Sequence, residues 1–318
     1  MISDYVNDWL TIIETMQNEN TYKLAWGRSI LETIGEKEIN DDIVIMFDEL
    51  SPKIIKYYWN QIYFFNLKQG SNRTPEIVTA VNEMIKKYQT EHNSNIPVWY
   101  EKAEAYFMSQ KEYYKKMITR VSITLTKDVS WRFMRSGDNN LELYVLDRKK
   151  RMIRFTKKQA EQLKEYRYIL TQLLNYRWAQ LLEQFNTAPR IASKVKGLSN
   201  AKLKRNSLTK FKNILLESFD EKPVDFYTGK ILQENDITVD HVIPWSFMYS
   251  DDIWNLVLTS KSNNSKKSNT IPTEDDIERL KQRNRELLYK SQSSAIIKSL
   301  QESIDNGYVD KFYASIRA

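Results

Sequence analysis

The sequence predicts an α+β protein that is mainly helical, on three observations. Apolar residues recur at helical spacing through residues 1–118, the spacing turns to strand-like alternation near residue 121, and a helical pattern resumes over 157–185. The expected organisation is a helical N-terminal region (1–118), a small antiparallel sheet with one long helix and a basic segment (119–206), and a C-terminal region (207–318) ending in further helices.

Each element has a local reason. Tyr5, Trp9, Ile12, Ile13 and Met16 fall on one side of a first helix, and Leu24, Ile30, Leu31 and Ile34 on one side of a second that stops at Gly35. Ile43, Phe47 and Leu50 suggest a short third helix. Pro52 is expected to open a strongly apolar one through Ile54, Ile55, Tyr58, Trp59, Ile62, Tyr63 and Phe65, because the first turn of a helix leaves its N–H groups unbonded and a proline loses nothing there. Thr74-Pro75-Glu76 reads as a cap followed by proline at the first helical position, with the helix running to about Tyr88. Pro97 starts another, through Ala103, Phe107 and Tyr114. The aromatic residues Trp26, Tyr57, Tyr58, Trp59, Tyr63, Phe64 and Phe65 read as core, and His92, within Thr90–Ser94, as a surface histidine.

Val121–Leu125 and Trp131–Phe133 alternate like strands, and Leu141–Val145 and Met152–Phe155 add two more, separated by turns at Ser136–Asn140 and Asp147–Lys150. Thr156 is placed to cap a helix from Lys157 to about Phe185. Residues 189–206 read as a basic loop or linker, and 207–218 as a helix. Further on, Pro272-Thr273 followed by Glu274, Asp275 and Asp276 marks a capped helix start, with acids placed well for the helix dipole. A last helix through Ile296, Ile297, Leu300 and Ile304 is expected to stop at Asn306-Gly307.

Composition narrows the function. The chain has 318 residues, 41% hydrophobic and 28% charged, with no cysteine and two histidines. A His/Cys zinc site is thereby all but excluded, so no structural zinc is expected. The start, Met1-Ile2-Ser3-Asp4, lacks the pattern of a signal peptide, and no apolar run approaches a membrane span, so a cytoplasmic protein without membrane association is expected. Net charge is +7, but Leu146–Lys212 alone holds 18 Lys and Arg against four acids, a local +14 that leaves the remainder net acidic. Basic surface attracts polyphosphate by counterion release, so Arg190, Lys194, Lys196, Lys202, Lys204 and Arg205 are candidate nucleic-acid contacts.

One stretch carries chemistry. Asp240 and His241 follow Thr238-Val239, a second short apolar segment spans Ile253–Thr259, and a polar, basic turn follows with Asn263, Asn264, Lys266 and Lys267. Phosphodiester hydrolysis needs a nucleophilic water and stabilisation of charge at the phosphate and leaving oxygen. A histidine near its ordinary pKa serves the first and a cation held by oxygen ligands the second. In Val239-Asp240-His241-Val242-Ile243-Pro244, Ser246-Phe247, Asp251-Asp252, Asn255, Val257-Leu258-Thr259, Asn264, Lys267-Ser268 and Pro272, the segment about 224–285 resembles the HNH (ββα-metal) endonuclease family. Within that family it is similar to the HNH domain of CRISPR RNA-guided effector nucleases and to stand-alone bacterial HNH restriction or defence endonucleases.

The resemblance implies a C-terminal ββα-metal (HNH) nuclease domain and a metal-dependent DNA endonuclease using Mg²⁺ or Mn²⁺. It implies that His241 is the general base and that Asp240 and Asn264 are metal ligands. Asn263 competes for the ligand role, and ungapped alignment from His241 favours Asn264. Asn255 would brace the loop carrying His241, and Lys267, with Lys266 second, would face the scissile phosphate. Many relatives carry cysteines near Phe226–Lys230, where this chain has none. DNA, a second copy of the chain and a defence-system component are the implied partners, in restriction or anti-phage defence. The alternatives are a regulated, non-specific nuclease effector and a catalytically silent DNA-binding protein; the shortness of the chain disfavours an RNA-guided nuclease.

Overall fold

Helical patterning dominates the folded chain, as its spacing predicts. A computed structural model describes residues 2–70, 74–137, 139–196 and 207–317, with Lys196 through its backbone only. It is mainly helical with small antiparallel sheets. Two compact units divide the described residues: one drawn from Met1–Ser94, Val98–Asn186 and Ile191–Asn200, the other from Asn95–Pro97, Thr187–Arg190 and Ala201–Ala318. The boundary expected at 118/119 falls inside a helix of the first unit.

The first unit starts with α1 (Asp4–Thr15), whose Ser3 side chain accepts from the Val6 N–H, and α2 (Tyr22–Glu36). Residues expected to be helical at Ile43 instead form strand β1 (Ile43–Met46), with Ile43 and Ile45 buried and Val44 and Met46 exposed. Its partner lies more than a hundred residues later in the chain, where local periodicity carries no information. Helix α3 (Phe47–Trp59) begins ahead of Pro52, which lies inside it, and passes into a π-helical turn over Asn60–Phe64. Next come α4 (Glu76–Glu91), preceded by Pro75 as its cap, α5 (Tyr100–Ser109) and α6 (Lys111–Asp128).

The strands expected at 121–125 and 131–133 do not form. Val121–Leu125 belongs to α6, where Met117, Val121, Thr124 and Leu125 are buried at helical spacing. β-Branched residues favour strands only weakly. Here Thr124 and Thr126 donate to the carbonyls four residues back, at 3.1 and 2.8 Å, and burial of one helical face decides. Strands β2 (Arg135–Ser136) and β3 (Asn139–Asn140) make a minimal hairpin. β4 (Val145–Asp147) and β5 (Met152–Phe155) complete a three-stranded antiparallel sheet of order β1-β5-β4. Thr156 caps α7 (Lys157–Phe185) as its sequence predicts, in a reciprocal box with Gln159.

Helix α8 (Ile191–Lys196) occupies part of the segment read as a loop. It is held by the fully buried Arg28 on α2, whose Nη1 donates to the Asn175 side chain at 2.9 Å and to the Val195 carbonyl at 3.1 Å, while Nε pairs with Glu32. The expected aromatic core is present: Trp9, Trp26, Trp59 and Trp178 are fully buried. Trp59 meets Tyr63, Tyr88, Tyr100 and Phe107 edge-on, with ring centroids 5.2 to 5.9 Å apart. His92 is exposed at the end of α4, stacked on Tyr88.

The second unit contains α9 (Thr209–Glu217), β6 (Ile237–His241), a short α10 (Trp245–Met248) and β7 (Leu256–Ser260). Then come α11 (Lys261–Lys267), α12 (Glu274–Lys290), α13 (Ser294–Asp305) and α14 (Tyr308–Arg317). The chain does not end its helices at Asn306-Gly307: Gly307, at φ +61°, turns it into α14. α14 returns Phe312 to stack on Trp254, with centroids 5.8 Å apart. The apolar core here runs from Leu215 through Val239, Val242, Ile243, Leu256, Val257 and Leu258 to Leu280, Leu300 and Ile316. No helix among the described residues is long and apolar enough to cross a membrane.

Trp59→Ala should destabilise the first unit by about 3–5 kcal/mol, the usual effect of emptying a large aromatic site. Urea unfolding of that unit measures it.

Candidate active site

Strands β6 and β7 pair antiparallel in the register Ile237↔Ser260, Asp240↔Val257 and His241↔Leu256, so the acidic and imidazole side chains leave the same strand end in succession. α11 follows β7 directly and packs on both strands. Ser260 starts it, its hydroxyl accepting from the Asn263 N–H at 3.1 Å.

Asp240 and His241 are both buried, at 7% exposure, and each is held by a specific partner. Asp240 Oδ2 accepts from the Tyr227 hydroxyl at 2.6 Å and lies 3.1 Å from Lys267 Nζ. Oδ1 accepts no hydrogen bond among the described residues. His241 Nε2 lies 3.0 Å from Asp251 Oδ1. A carboxylate can only accept, so Nε2 carries the proton and Nδ1 is the basic nitrogen. Burial, then the charge of Asp240 and the hydrogen bond to it, push the Tyr227 hydroxyl far above its ordinary range and keep it a donor.

Asn255, at 1% exposure, clamps the chain just beyond His241. Its Oδ1 accepts from Ile243 N–H and its Nδ2 donates to the Ile243 carbonyl, both at 2.8 Å, while its own carbonyl accepts from Val242 N–H at 2.9 Å. The two candidate asparagines on α11 differ. Asn263 Nδ2 donates to Asp225 Oδ2 at 2.9 Å, whereas the Asn264 side chain makes no hydrogen bond among the described residues. Asn264 lies three residues before Lys267, on the helix face whose lysine reaches Asp240.

Lys267, expected to face the scissile phosphate, is engaged by groups of the chain itself. Its ammonium donates to the His241 carbonyl at 2.7 Å, and its side chain is 12% exposed, drawn inward by the buried carboxylate. Lys266 is exposed. In the basic segment Arg190 is exposed, but Lys194 is fully buried, with its Nζ 5.9 Å from the Phe65 ring centre. Desolvation lowers its pKa to about 7, so it is no surface cation. Its burial follows from the packing of α8, which also buries Ile191 and Val195. The side chain of Lys196, and Lys202, Lys204 and Arg205 entirely, lie outside the described residues.

Several supporting residues have no role in the sequence-based expectations. Asp225 is the first. Its Oδ1 accepts from the N–H groups of Tyr227 and Thr228 at 3.0 and 2.9 Å, and its Oδ2 from Thr259 Oγ1, Ser260 N–H and Asn263 Nδ2 at 2.8 to 2.9 Å. One carboxylate thus joins the Phe226–Thr228 turn, the end of β7 and the start of α11. Burial alone would raise its pKa, but the donors, led by Ser260 N–H and Asn263, outweigh it and hold it at about 2. The turn closes at Gly229, whose φ of +68° suits glycine.

On α12, Arg279 donates to the Phe226 and Tyr227 carbonyls, Arg283 to those of Ile253 and Trp254, and Asn284 again to Trp254. The only sequence signal for Asp225 was its place beside a Tyr-Thr-Gly turn.

The arrangement presents a basic imidazole nitrogen, a carboxylate with one unbonded oxygen and an unbonded amide side chain on one strand–strand–helix unit. Hard oxygen donors of this kind suit a Mg²⁺-like cation, which keeps water and substrate oxygens in its remaining positions. Among the described residues no cluster of three or more His, Cys, Asp or Glu side chains could hold a metal. Residues 225–273 match the model of a protein family described as HNH endonuclease. No solved structure matches the chain.

The depressed pKa of Asp225 gives stability that is complete above the ordinary carboxyl value of 3.8 and is lost as pH falls through about 2. Asp225→Asn should flatten the acid limb of thermal stability of the second unit over that window and lower stability at neutral pH. Parallel acid limbs for the two proteins would contradict this.

Proposed function

With an HNH-family domain at 225–273 as the premise, we propose that the protein is a metal-dependent DNA endonuclease. The observation that carries the reading is the joint geometry of Asp240, His241, Asn255 and Asn264. The first two are buried and oriented, the third clamps their loop, and the fourth is unengaged on the helix face that meets Asp240.

Asp240 and Asn264 would hold one Mg²⁺ or Mn²⁺ ion in a ββα-metal arrangement. When bound, that ion supplies charge stabilisation at the scissile phosphate and the leaving 3′ oxygen. His241 takes the proton from the attacking water at Nδ1, and Asp251, on the other nitrogen, fixes the tautomer and favours the imidazolium that results. Asn255 holds the backbone beyond His241 and thereby the ring position. Lys267 partly neutralises Asp240, and the exposed Lys266 and Arg190 are available to the DNA backbone. Lys196, Lys202, Lys204 and Arg205 are further candidate contacts to the DNA backbone by their charge.

One such site cuts one strand, so a double-strand break requires two protomers or two successive nicks. The resemblance to restriction and defence nucleases supports a role in bacterial restriction or anti-phage defence, in the cytoplasm.

Purified protein with Mg²⁺ or Mn²⁺ should nick or linearise plasmid, and a chelator should stop it. His241→Ala should lower cleavage by at least about a hundredfold, the usual scale for a general base, while DNA binding persists. Undiminished cutting by that variant sinks the proposal. Discrete fragments mark sequence-specific restriction, and a smear marks a non-specific effector.

A further inference from the structure

Asp240 is held in an asymmetric way. Both polar contacts to its carboxylate fall on Oδ2, from the Tyr227 hydroxyl at 2.6 Å and Lys267 Nζ at 3.1 Å. Tyr227 is itself immobilised at its backbone. Its N–H bonds Asp225 Oδ1 at 3.0 Å and its carbonyl accepts from Arg279 Nη1 at 3.2 Å. The Phe226 ring packs edge-on against it, with centroids 5.1 Å apart. The Lys267 ammonium also sits 5.7 Å from the Tyr227 ring centre, so the two donors are packed together.

A carboxylate whose one oxygen is saturated by two donors has only the other to offer. Mg²⁺ takes single carboxylate oxygens in a tight octahedron, whereas Ca²⁺ accepts more oxygens and readily binds a carboxylate through both. We infer that Tyr227 is a positioning residue that restricts Asp240 to one-oxygen coordination through Oδ1, and so makes the site discriminate in favour of a small octahedral cation over Ca²⁺. The inference rests on the reading that Asp240 holds the cation. Tyr227 touches neither substrate nor cation in this scheme; it acts through the orientation and occupancy of Asp240.

The test uses the full chain without DNA. Mn²⁺ binding is followed by electron paramagnetic resonance, with Mg²⁺ and Ca²⁺ as competitors, for the wild type, Tyr227→Phe, Lys267→Met and Asp240→Asn. Tyr227→Phe should weaken Mg²⁺ by about tenfold, the lower end of the range for removing a partner of a metal ligand. Ca²⁺ should change much less, so that the preference moves toward Ca²⁺. Lys267→Met, which leaves the tyrosine in place, should move the Ca²⁺-to-Mg²⁺ preference in the same direction, and this keeps the test decisive if Tyr227→Phe folds poorly. An unchanged preference in both variants, or equal weakening of the two ions, overturns the inference and leaves Tyr227 as packing only. Undiminished Mn²⁺ binding by Asp240→Asn overturns the underlying ligand assignment instead, which separates the two failures.

Discussion

The second unit is organised by the Asp225 carboxylate. Five donors from three separate segments converge on it: the backbone of the Phe226–Thr228 turn, the end of β7, and Asn263 on α11. A buried charge is costly unless it is fully hydrogen-bonded, and charge-assisted bonds are the stronger kind. Satisfying Asp225 therefore requires all three segments to be in place together. The position of Tyr227 on one side and of Asn264 and Lys267 on the other follows from it. In a chain with no cysteine, this carboxylate performs the cross-linking that a thiolate-bound metal could otherwise provide.

Basic residues do similar internal work. Arg279 and Arg283 spend their N–H groups on four backbone carbonyls around the site, and desolvation lowers the pKa of the partly buried Arg283 to about 9. In the first unit the buried Arg28 ties α2 to α7 and α8. Guanidinium suits this task because its planar fork presents several donors in fixed directions. A net charge of +7 thus overstates the cationic surface, and Lys194 is the clearest case.

For the proposed chemistry the consequence is preorganisation. Asp240 and His241 are each restrained by a polar partner lying outside the pair, and Asn255 occupies both hydrogen-bonding groups of Ile243 just beyond them. Little reorientation of these groups remains to be done when substrate arrives.

Elements set by local chemistry were legible in the sequence: the Thr156 cap and the 29-residue helix behind it, the Thr273 capping box, the Met152–Phe155 strand, and the ordered Asp240, His241, Asn255 and Asn264. Those depend on short-range hydrogen bonds, on periodicity, or on a fixed spacing along one chain. Tertiary structure alone decided that Ile43–Met46 is a strand, because its partner is distant, and that Val121–Leu125 is helical, because one face is buried by neighbouring helices. It likewise decided that Asn263 serves Asp225 while Asn264 stays unengaged, and that Lys267 turns inward while Lys194 is enclosed. A side chain's partners are set by which groups desolvation brings within reach, and that is a property of the packed chain rather than of the residues in order.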